Sequence, residues 1–368
     1  MVLNIISNTI INAKKMNVLF SERFRSARLL CGFSLQELAD RLDNRISRQA
    51  LHKYEKGEVL PNSEMIGYLC DVLNVRPDFF FRDMEVKLGT VEFRKLDRLP
   101  AKEENKIIEQ TKDFLSRYLE LEEIIGLSSE FTNPLSDIDL VSTQDEAETA
   151  AEMVRKAWRL GMDPISNTVE LLEDNHIKVI EFEADLGFDG MQTVVNGKIP
   201  VIAINVSRVK KDDRKRFTVM HELAHLLMPL ADDLPEKHKE TLCNHFAGAM
   251  LFPADLIKRE LGVKRNKLLV QELGVLKQEY GISIQAIVMR ALNTGIISSR
   301  YCTQFFSYLK QMNWQVNEPF DFNSGEKSKR FEQLLFRALG EDLISLSKAA
   351  ALYNMKLADF KSKMLLVV

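Results

Sequence analysis

The most informative stretch of the chain is "VMHELAHLLM", Val219 to Met228, which places two histidines four residues apart in an apolar segment. Residues four apart lie on one face of an α-helix, so His221 and His225 point the same way and can reach one zinc ion. Glu222 lies about 100° further round the helix, where it can act on a water molecule beside the metal without being a ligand. The stretch therefore predicts a zinc-binding helix with Glu222 as its catalytic residue.

A competing interpretation is an ordinary surface helix, because short motifs of this kind recur by chance. The apolar surroundings argue against it, since unpaired histidines are costly to bury. A third ligand is also at hand: "HKETLCNHFAGAMLFP", residues 238–253, reads as a second helix with His238, Glu240 and His245 as candidates. Glu240 is favoured, because its spacing lets Asn244 hydrogen-bond a histidine ligand. His238 is the next choice, and it is also a candidate oxyanion donor.

A β-rich region precedes this helix pair. Between Ile177 and Ser207 the hydrophobic period changes, and Asn196-Gly197 between apolar runs is a strong hairpin signal. A small sheet followed directly by the motif helix predicts an α+β domain. If the zinc site acts on a substrate in an extended conformation, we expect that substrate to add as a further strand at an edge of this sheet, near Val201 to Asn205.

The N-terminal region has a different pattern, two short capped helices joined by a tight turn. Ser34 and Glu37 form a capping box, and Ser47 can cap a second helix, Arg48 to Tyr54. This is a helix-turn-helix layout, and polar residues near the start of the second helix can read base edges in the major groove. The alternative is a solvated basic face on a protein-interaction module. The predicted DNA contacts are Gln36, Arg45, Arg48, Gln49, His52 and Lys53.

Length and composition limit the remaining possibilities. A chain of 368 residues predicts two or three domains, and its formal net charge of -3 means that DNA binding must come from a local patch. The four cysteines are scattered without a C-x-x-C pair, which indicates reduced thiols in a cytoplasmic protein. No signal peptide, membrane span or other membrane contact is expected.

These patterns predict an α+β multidomain protein: an all-α helix-turn-helix domain, a mostly helical zincin-like domain with a small β-sheet, and a helical C-terminal region. The predicted boundaries are 17–83 for the DNA-binding domain, 84–142 for a helical connector, 143–300 for the metallopeptidase-like domain and 301–368 for the C-terminal region. The helix at Lys102 to Ile125 and the C-terminal region are the candidate elements of a homodimer.

The N-terminal region resembles the XRE (Cro/C1-type) helix-turn-helix family. The matching residues are Arg28, Gly32, Ser34, Leu38, Ala39, the run "SRQALHKYEKGEVLP" at 47–61, Leu69 and Leu73. One departure is the turn "LDNRI" at 42–46, which replaces the usual short Gly-Val-Ser turn. It leaves open the direction in which the Arg48 side chain points.

The region from about Ala147 to Pro253 resembles the ImmA/IrrE peptidase-like family. The resemblance is carried by "AWRLGMDPISNTVELLEDNHIKV", "GFDG", "IPVIAIN", "RKRFTVMHELAHLL" and "ETLCNHFAGAMLFP", in this order. It implies Zn²⁺ held by His221, His225 and Glu240, with Glu222 as catalytic acid and base.

The resemblance also implies a regulator that combines DNA binding with a zinc-dependent endopeptidase site, in a mobile-element or stress response. Its expected partners are a double-stranded DNA operator and a specific repressor or toxin-like protein. The alternative is a DNA-binding regulator or antitoxin whose zinc site is sensory or structural, without proteolysis.

Overall fold

A computed structural model of the chain describes residues 2–82, 86–89, 92–95, 100–127, 130–184 and 188–365, with only the backbone described for 2–15, 92–95 and 365. It is predominantly helical with one small sheet, which confirms the predicted α+β multidomain class. The chain divides into two compact units. The first comprises Met1–Lys87, Arg98–Ser128 and Phe331–Val368, and the second comprises Leu88–Asp97 and Ser129–Arg330.

The elements follow one another along the chain in this order. The helices are α1 (Val2–Leu30), α2 (Leu35–Arg41), α3 (Arg48–Glu55), α4 (Ser63–Leu73), α5 (Ala101–Ile125), α6 (Gln144–Ala157), α7 (Thr168–Asp174), α8 (Asp212–Leu227), α9 (Glu236–Leu251), α10 (Ala254–Leu261), α11 (Val270–Tyr280), α12 (Ile284–Asn293), α13 (Ser299–Gln311), α14 (Arg330–Gly340), α15 (Leu346–Leu352) and α16 (Leu357–Leu365). The strands are β1 (Glu92–Lys95), β2 (Lys178–Phe182), β3 (Phe188–Val195) and β4 (Ile199–Asn205). A short 3-10 helix occupies Pro77–Phe81.

The first unit contains the helix-turn-helix, α2 and α3. Ser34 and Glu37 form the predicted capping box, and the Ser47 hydroxyl accepts a hydrogen bond from the Ala50 amide. The helices pack on a core that includes Phe20, Phe24, Leu38, Leu51 and Phe80. These local caps and the apolar spacing of the helices therefore produce the layout that the sequence predicts.

The turn between α2 and α3 takes an unusual backbone path. Asp43 and Asn44 both have positive φ, at 52° and 55°. Short polar side chains such as these tolerate the left-handed region better than other non-glycine residues do. The "LDNRI" turn therefore makes its reversal without a glycine, and it leaves Arg45 exposed beside the N-terminus of α3.

The long helix α5 packs against the C-terminal helices of the same unit. Tyr118 and Leu121 share one buried cluster with Phe331 and Leu335 of α14 and with α15 and α16. The Arg117 guanidinium donates to the Leu352 carbonyl at 2.8 Å. Both candidate dimer elements thus bury apolar surface against each other within one chain, and the homodimer stays a prediction.

The second unit contains the sheet, whose strand order is β1-β3-β4-β2. Strands β3 and β4 form an antiparallel hairpin whose turn residues, Asn196 and Gly197, have φ of 51° and 69°. This confirms the hairpin predicted from Asn196-Gly197. Strand β4 is also paired with β2, in parallel. It is therefore interior, and the expectation that residues 201–205 form an edge strand for substrate is wrong.

The sheet and its neighbouring helices enclose the main core of the second unit. Helix α8 packs on strands β3 and β4 and on helices α7 and α9, and α9 also packs on α6. Val219, Met220, Leu223, Phe246 and Met250 are fully buried at these contacts. Helix α8 is thus fixed on several sides, which holds the motif residues in defined positions. None of the helices in the described part of the chain is long and apolar enough to cross a membrane.

Candidate metal centre and nucleic-acid interface

Three side chains on the two neighbouring helices converge. The Nε2 atoms of His221 and His225 on α8 lie 3.0 Å apart. The carboxylate of Glu240 on α9 places Oε2 at 3.4 Å from the first Nε2 and Oε1 at 3.1 Å from the second. Ligand atoms about 2.0–2.1 Å from a tetrahedral zinc ion lie roughly 3.3 Å apart. The three distances, 3.0 Å between the two nitrogens and 3.1 and 3.4 Å to the two oxygens of the one carboxylate, are close to that spacing.

Asn244 supports this cluster from behind. Its Oδ1 lies 2.9 Å from His221 Nδ1. An amide oxygen only accepts hydrogen bonds, so the Nδ1 atom of His221 carries the proton, which leaves Nε2 as the nitrogen available to a metal ion. This is the tautomer that a metal ligand needs, and an outer hydrogen bond of this kind also orients the imidazole.

The charges of the cluster are strongly coupled. Burial opposes the charged form of His225, but hydrogen bonds to Cys243 and Glu240 outweigh it and raise the pKa of this imidazole to about 10. Burial also opposes ionisation of Glu240, yet its contacts with His221 and His225 hold the pKa of this carboxyl well below its usual range. The cluster therefore combines an anionic carboxylate with an imidazolium whose proton a metal cation can displace.

The position of Glu222 is set by the sheet. Its side chain is 1% exposed, and a Cβ atom added to Gly190 of β3 would lie 3.1 Å from Glu222 Oε1 and 3.2 Å from its Cγ. A Cβ at that distance would be in tighter than usual contact, so a glycine here leaves space for the carboxylate. The role of Gly190 was not predicted, although it is the last residue of the "GFDG" motif.

The other two candidate ligands lie elsewhere. His238 Nε2 is 2.8 Å from the Ser142 carbonyl oxygen, so this ring nitrogen donates to the backbone. His245 Nε2 contacts the Glu148 carboxylate at 2.7 Å. Of the described residues, His221, His225 and Glu240 are the ones that form a group able to hold a metal ion. The arrangement gives no support to His238 as an oxyanion donor.

The predicted DNA-contacting residues share one property, exposure to solvent. Arg45 lies with its guanidinium 4.3 Å from the centre of the Tyr68 ring, which restrains it beside α3. Gln36 donates to the Asp40 carboxylate at 2.9 Å and is therefore partly engaged. The exposed set is Gln36, Arg45, Arg48, Gln49, His52 and Lys53. Leu51 and Tyr54 are buried, so α3 presents one face to the core and the other to solvent.

Comparison with known families finds one match in each of the two units. The helix-turn-helix family matches residues 24–80, and the family described as the IrrE N-terminal-like domain matches residues 173–292. Among curated proteins, none matches the chain significantly. The second match includes the histidine pair, Glu240 and Asn244, and the first includes all the predicted DNA-contacting residues. These two matches confirm the predicted combination of an XRE-type helix-turn-helix domain at residues 24–80 with an IrrE N-terminal-like domain at residues 173–292.

Proposed function

We propose that the chain is a cytoplasmic transcriptional regulator whose second domain is a zinc-dependent endopeptidase directed at one specific protein, such as a repressor. The observation that supports it most directly is the triangle of His221 Nε2, His225 Nε2 and the Glu240 carboxylate, with Asn244 behind the first histidine. Bound zinc supplies Lewis-acid chemistry, activating water near neutral pH and polarising the scissile carbonyl.

Glu222 is the proposed proton carrier. Glu222 directly follows the first ligand, His221, in the chain. It is 1% exposed, and its carboxylate lies against Gly190. In this position Glu222 takes the proton of the attacking water and delivers it to the leaving amine. Asn244 keeps its hydrogen bond to His221 throughout and holds the imidazole in orientation.

Metal analysis of the purified chain tests the ligand set. The wild type is expected to hold about one zinc per chain, and His221→Ala to lose it. The matched control is His238→Ala on the same helix as Glu240, which is expected to retain zinc because its ring contacts the Ser142 carbonyl. Zinc loss in that control, or an absence of zinc from the wild type, contradicts the proposed ligand set.

The peptidase role requires a separate test. Glu222→Gln is expected to keep zinc and to abolish cleavage of the partner protein, which the variant then captures as an uncleaved complex. Glu236→Gln, an exposed position near the start of α9, is the control and is expected to cleave normally. A Glu222→Gln strain whose regulatory response is intact would show that proteolysis is not the function.

The second candidate function is a sensory zinc site in a DNA-binding regulator or antitoxin. The partial burial of the centre favours it, since His221 is 0% and Glu222 1% exposed, whereas the side chains of His225 and Glu240 are 13% and 33% exposed. A centre that opens to solvent only at His225 and Glu240 admits an ion more readily than an extended peptide. Under this alternative, zinc changes operator affinity, and Glu222→Gln leaves that change unaltered.

For the DNA module, we propose that α3 reads an operator in the major groove, with two copies of the chain on paired half-sites. Arg48→Ala combined with Gln49→Ala is expected to weaken specific binding by roughly 10- to 100-fold and nonspecific binding much less. Lys267→Ala, an exposed cation of the second unit, is the control. Equal weakening of specific and nonspecific binding would exclude base recognition by these residues.

A further inference from the structure

A cavity of about 580 Å³ lies in the second unit beside the metal centre. Its walls come from the start of α8, from α9 and α12, from single residues of α6, α11 and α13, and from residues 315–318, which follow α13. This volume is within the range of pockets that hold small molecules, roughly 300–1,000 Å³. The cavity belongs to neither the histidine pair nor Glu240, and the proposed function does not use it.

The lining offers an apolar surface to an occupant. Phe217, Ala286, Met289, Phe306 and Val316 line the cavity. Met289 is 42% and Val316 77% exposed, although both are large apolar residues. Apolar side chains that remain exposed around a concavity are a feature of ligand sites. The occupant therefore has an apolar body.

The charged residues of the lining fall into two classes. Lys277 and Arg290 are 1% and 2% exposed, and both are already paired with carboxylates. The Lys277 ammonium lies 2.7 Å from Asp213 and 2.9 Å from Glu318. The Arg290 guanidinium donates two hydrogen bonds of 2.7 Å to Glu148. They form a fixed wall.

The cations that can respond to a ligand are Lys211 and Arg214. Their side chains are 37% and 50% exposed, and they pair with Asp321 at 3.5 Å and Asp189 at 2.8 Å. The Lys211–Asp321 pair is exposed and contributes little stability, and Asp189, which is 14% exposed, keeps Arg208 at 2.9 Å when Arg214 turns away. Both cations can therefore turn toward an anionic ligand. The mouth of the cavity therefore suits one negative group.

Asn244 connects the cavity with the metal centre. Asn244 is one of the lining residues, and its Oδ1 accepts a hydrogen bond from His221 Nδ1 at 2.9 Å. We propose that the cavity binds a small amphipathic anion, an apolar body with one acidic group, and that its occupancy changes zinc affinity through Asn244. The second half of this proposal rests on the proposed zinc site, whereas the binding itself does not.

Binding is tested with 1,8-anilinonaphthalene sulfonate, which has an aromatic body and one sulfonate, using the full chain with and without zinc. We expect one saturable fluorescent site, displaced by decanoate and more weakly by uncharged decanol. Ala286→Trp fills the cavity and is expected to weaken binding at least about tenfold. The control, Val263→Trp, lies outside the lining at a position that is 69% exposed, and it should bind as the wild type does.

Val316→Asp provides a second variant, because a residue that is 77% exposed can be replaced without disturbing the core. Its carboxylate at the mouth repels decanoate, so it should weaken decanoate binding much more than decanol binding. The proposal is overturned if Ala286→Trp and Val316→Asp both bind these probes as tightly as the wild type.

Coupling is measured as zinc affinity in competition with a chelator, with and without decanoate. We expect a change of at least about fivefold, in either direction, which disappears in Asn244→Ala while the fluorescent probe still binds. An unchanged zinc affinity in the wild type overturns the coupling. A chain that binds no zinc at all contradicts the proposed function, and the probe titration of the metal-free chain still decides whether the cavity binds anions.

Discussion

Glu173 of α7 is expected to make the stability of the second unit depend on pH. Its side chain is buried, at 9% exposed, and accepts a hydrogen bond from the Ser328 hydroxyl at 2.6 Å. Burial raises the pKa of this carboxyl to about 7, although hydrogen bonds from Ser328 and from the Arg330 backbone amide partly oppose the rise. The folded chain therefore keeps a proton on Glu173 over a pH range in which the unfolded chain has released it.

The direction and size of the effect follow from proton linkage. Between pH 4.5 and 7 the folded state binds more protons at this position than the unfolded state, so stability falls as pH rises through that range and is then constant. Raising the pKa from 4.5 to about 7 corresponds to a loss of roughly 3 kcal/mol above pH 7. Glu173→Gln keeps the shape without the charge, so the variant should gain up to about this amount at pH 8 and little at pH 4.5.

Urea unfolding followed by tryptophan fluorescence measures this effect, because both tryptophans of the chain, Trp158 and Trp314, lie in the second unit. Other groups also titrate, so the informative quantity is the difference between variant and wild type at each pH. Glu170→Gln, on the exposed side of the same helix, is the control. The reasoning is refuted if the difference for Glu173→Gln is the same at pH 4.5 and pH 8.

Three further predictions concern the two sites. Because the pKa of His225 is raised to about 10, zinc binding at pH 7 should release about one proton. Calorimetry in two buffers of different ionisation enthalpy measures this proton release, and identical binding heats in the two buffers would contradict the prediction. Gly190→Ala should keep zinc but reduce proteolysis by roughly 100-fold, since it crowds Glu222; unchanged turnover of the partner protein would show that the glycine has no positioning role. Leu51→Ala should destabilise the helix-turn-helix by about 2–5 kcal/mol in thermal unfolding, whereas Val59→Ala, at a position 48% exposed, should have little effect.

The parts of the fold that the sequence predicts correctly depend on residues that are close to each other in the chain. The capping box of Ser34 and Glu37 and the Asn196-Gly197 turn each form within a few residues, so their patterns in the sequence are sufficient. The position of β4 depends instead on pairing with β2, which lies on the far side of β3 in the chain. An alternating or apolar pattern does not distinguish an interior strand from an edge strand, and the substrate edge was therefore misplaced.

The same distinction applies to the metal centre. Each helix carries its two functional residues four positions apart and therefore on one face: His221 and His225 on α8, and Glu240 and Asn244 on α9. The centre forms once these two faces pack against each other, so the sequence pattern was sufficient to predict it. The contact of His238 with the Ser142 carbonyl joins residues 96 positions apart, so helical spacing carried no information about it.

Gly190 shows why the function of the centre depends on more than its ligands. The metal-binding atoms are supplied by two helices, but the carboxylate of Glu222 occupies space left by a strand that pairs with β1 and β4. A change in that strand can therefore displace the proton carrier and leave the ligands in place. Asn244 has the complementary position, because it contacts the ligand His221 and lines the cavity. Substitutions at Gly190 and Asn244 thus separate catalysis from metal affinity, which is the distinction between a cutting and a sensing zinc site.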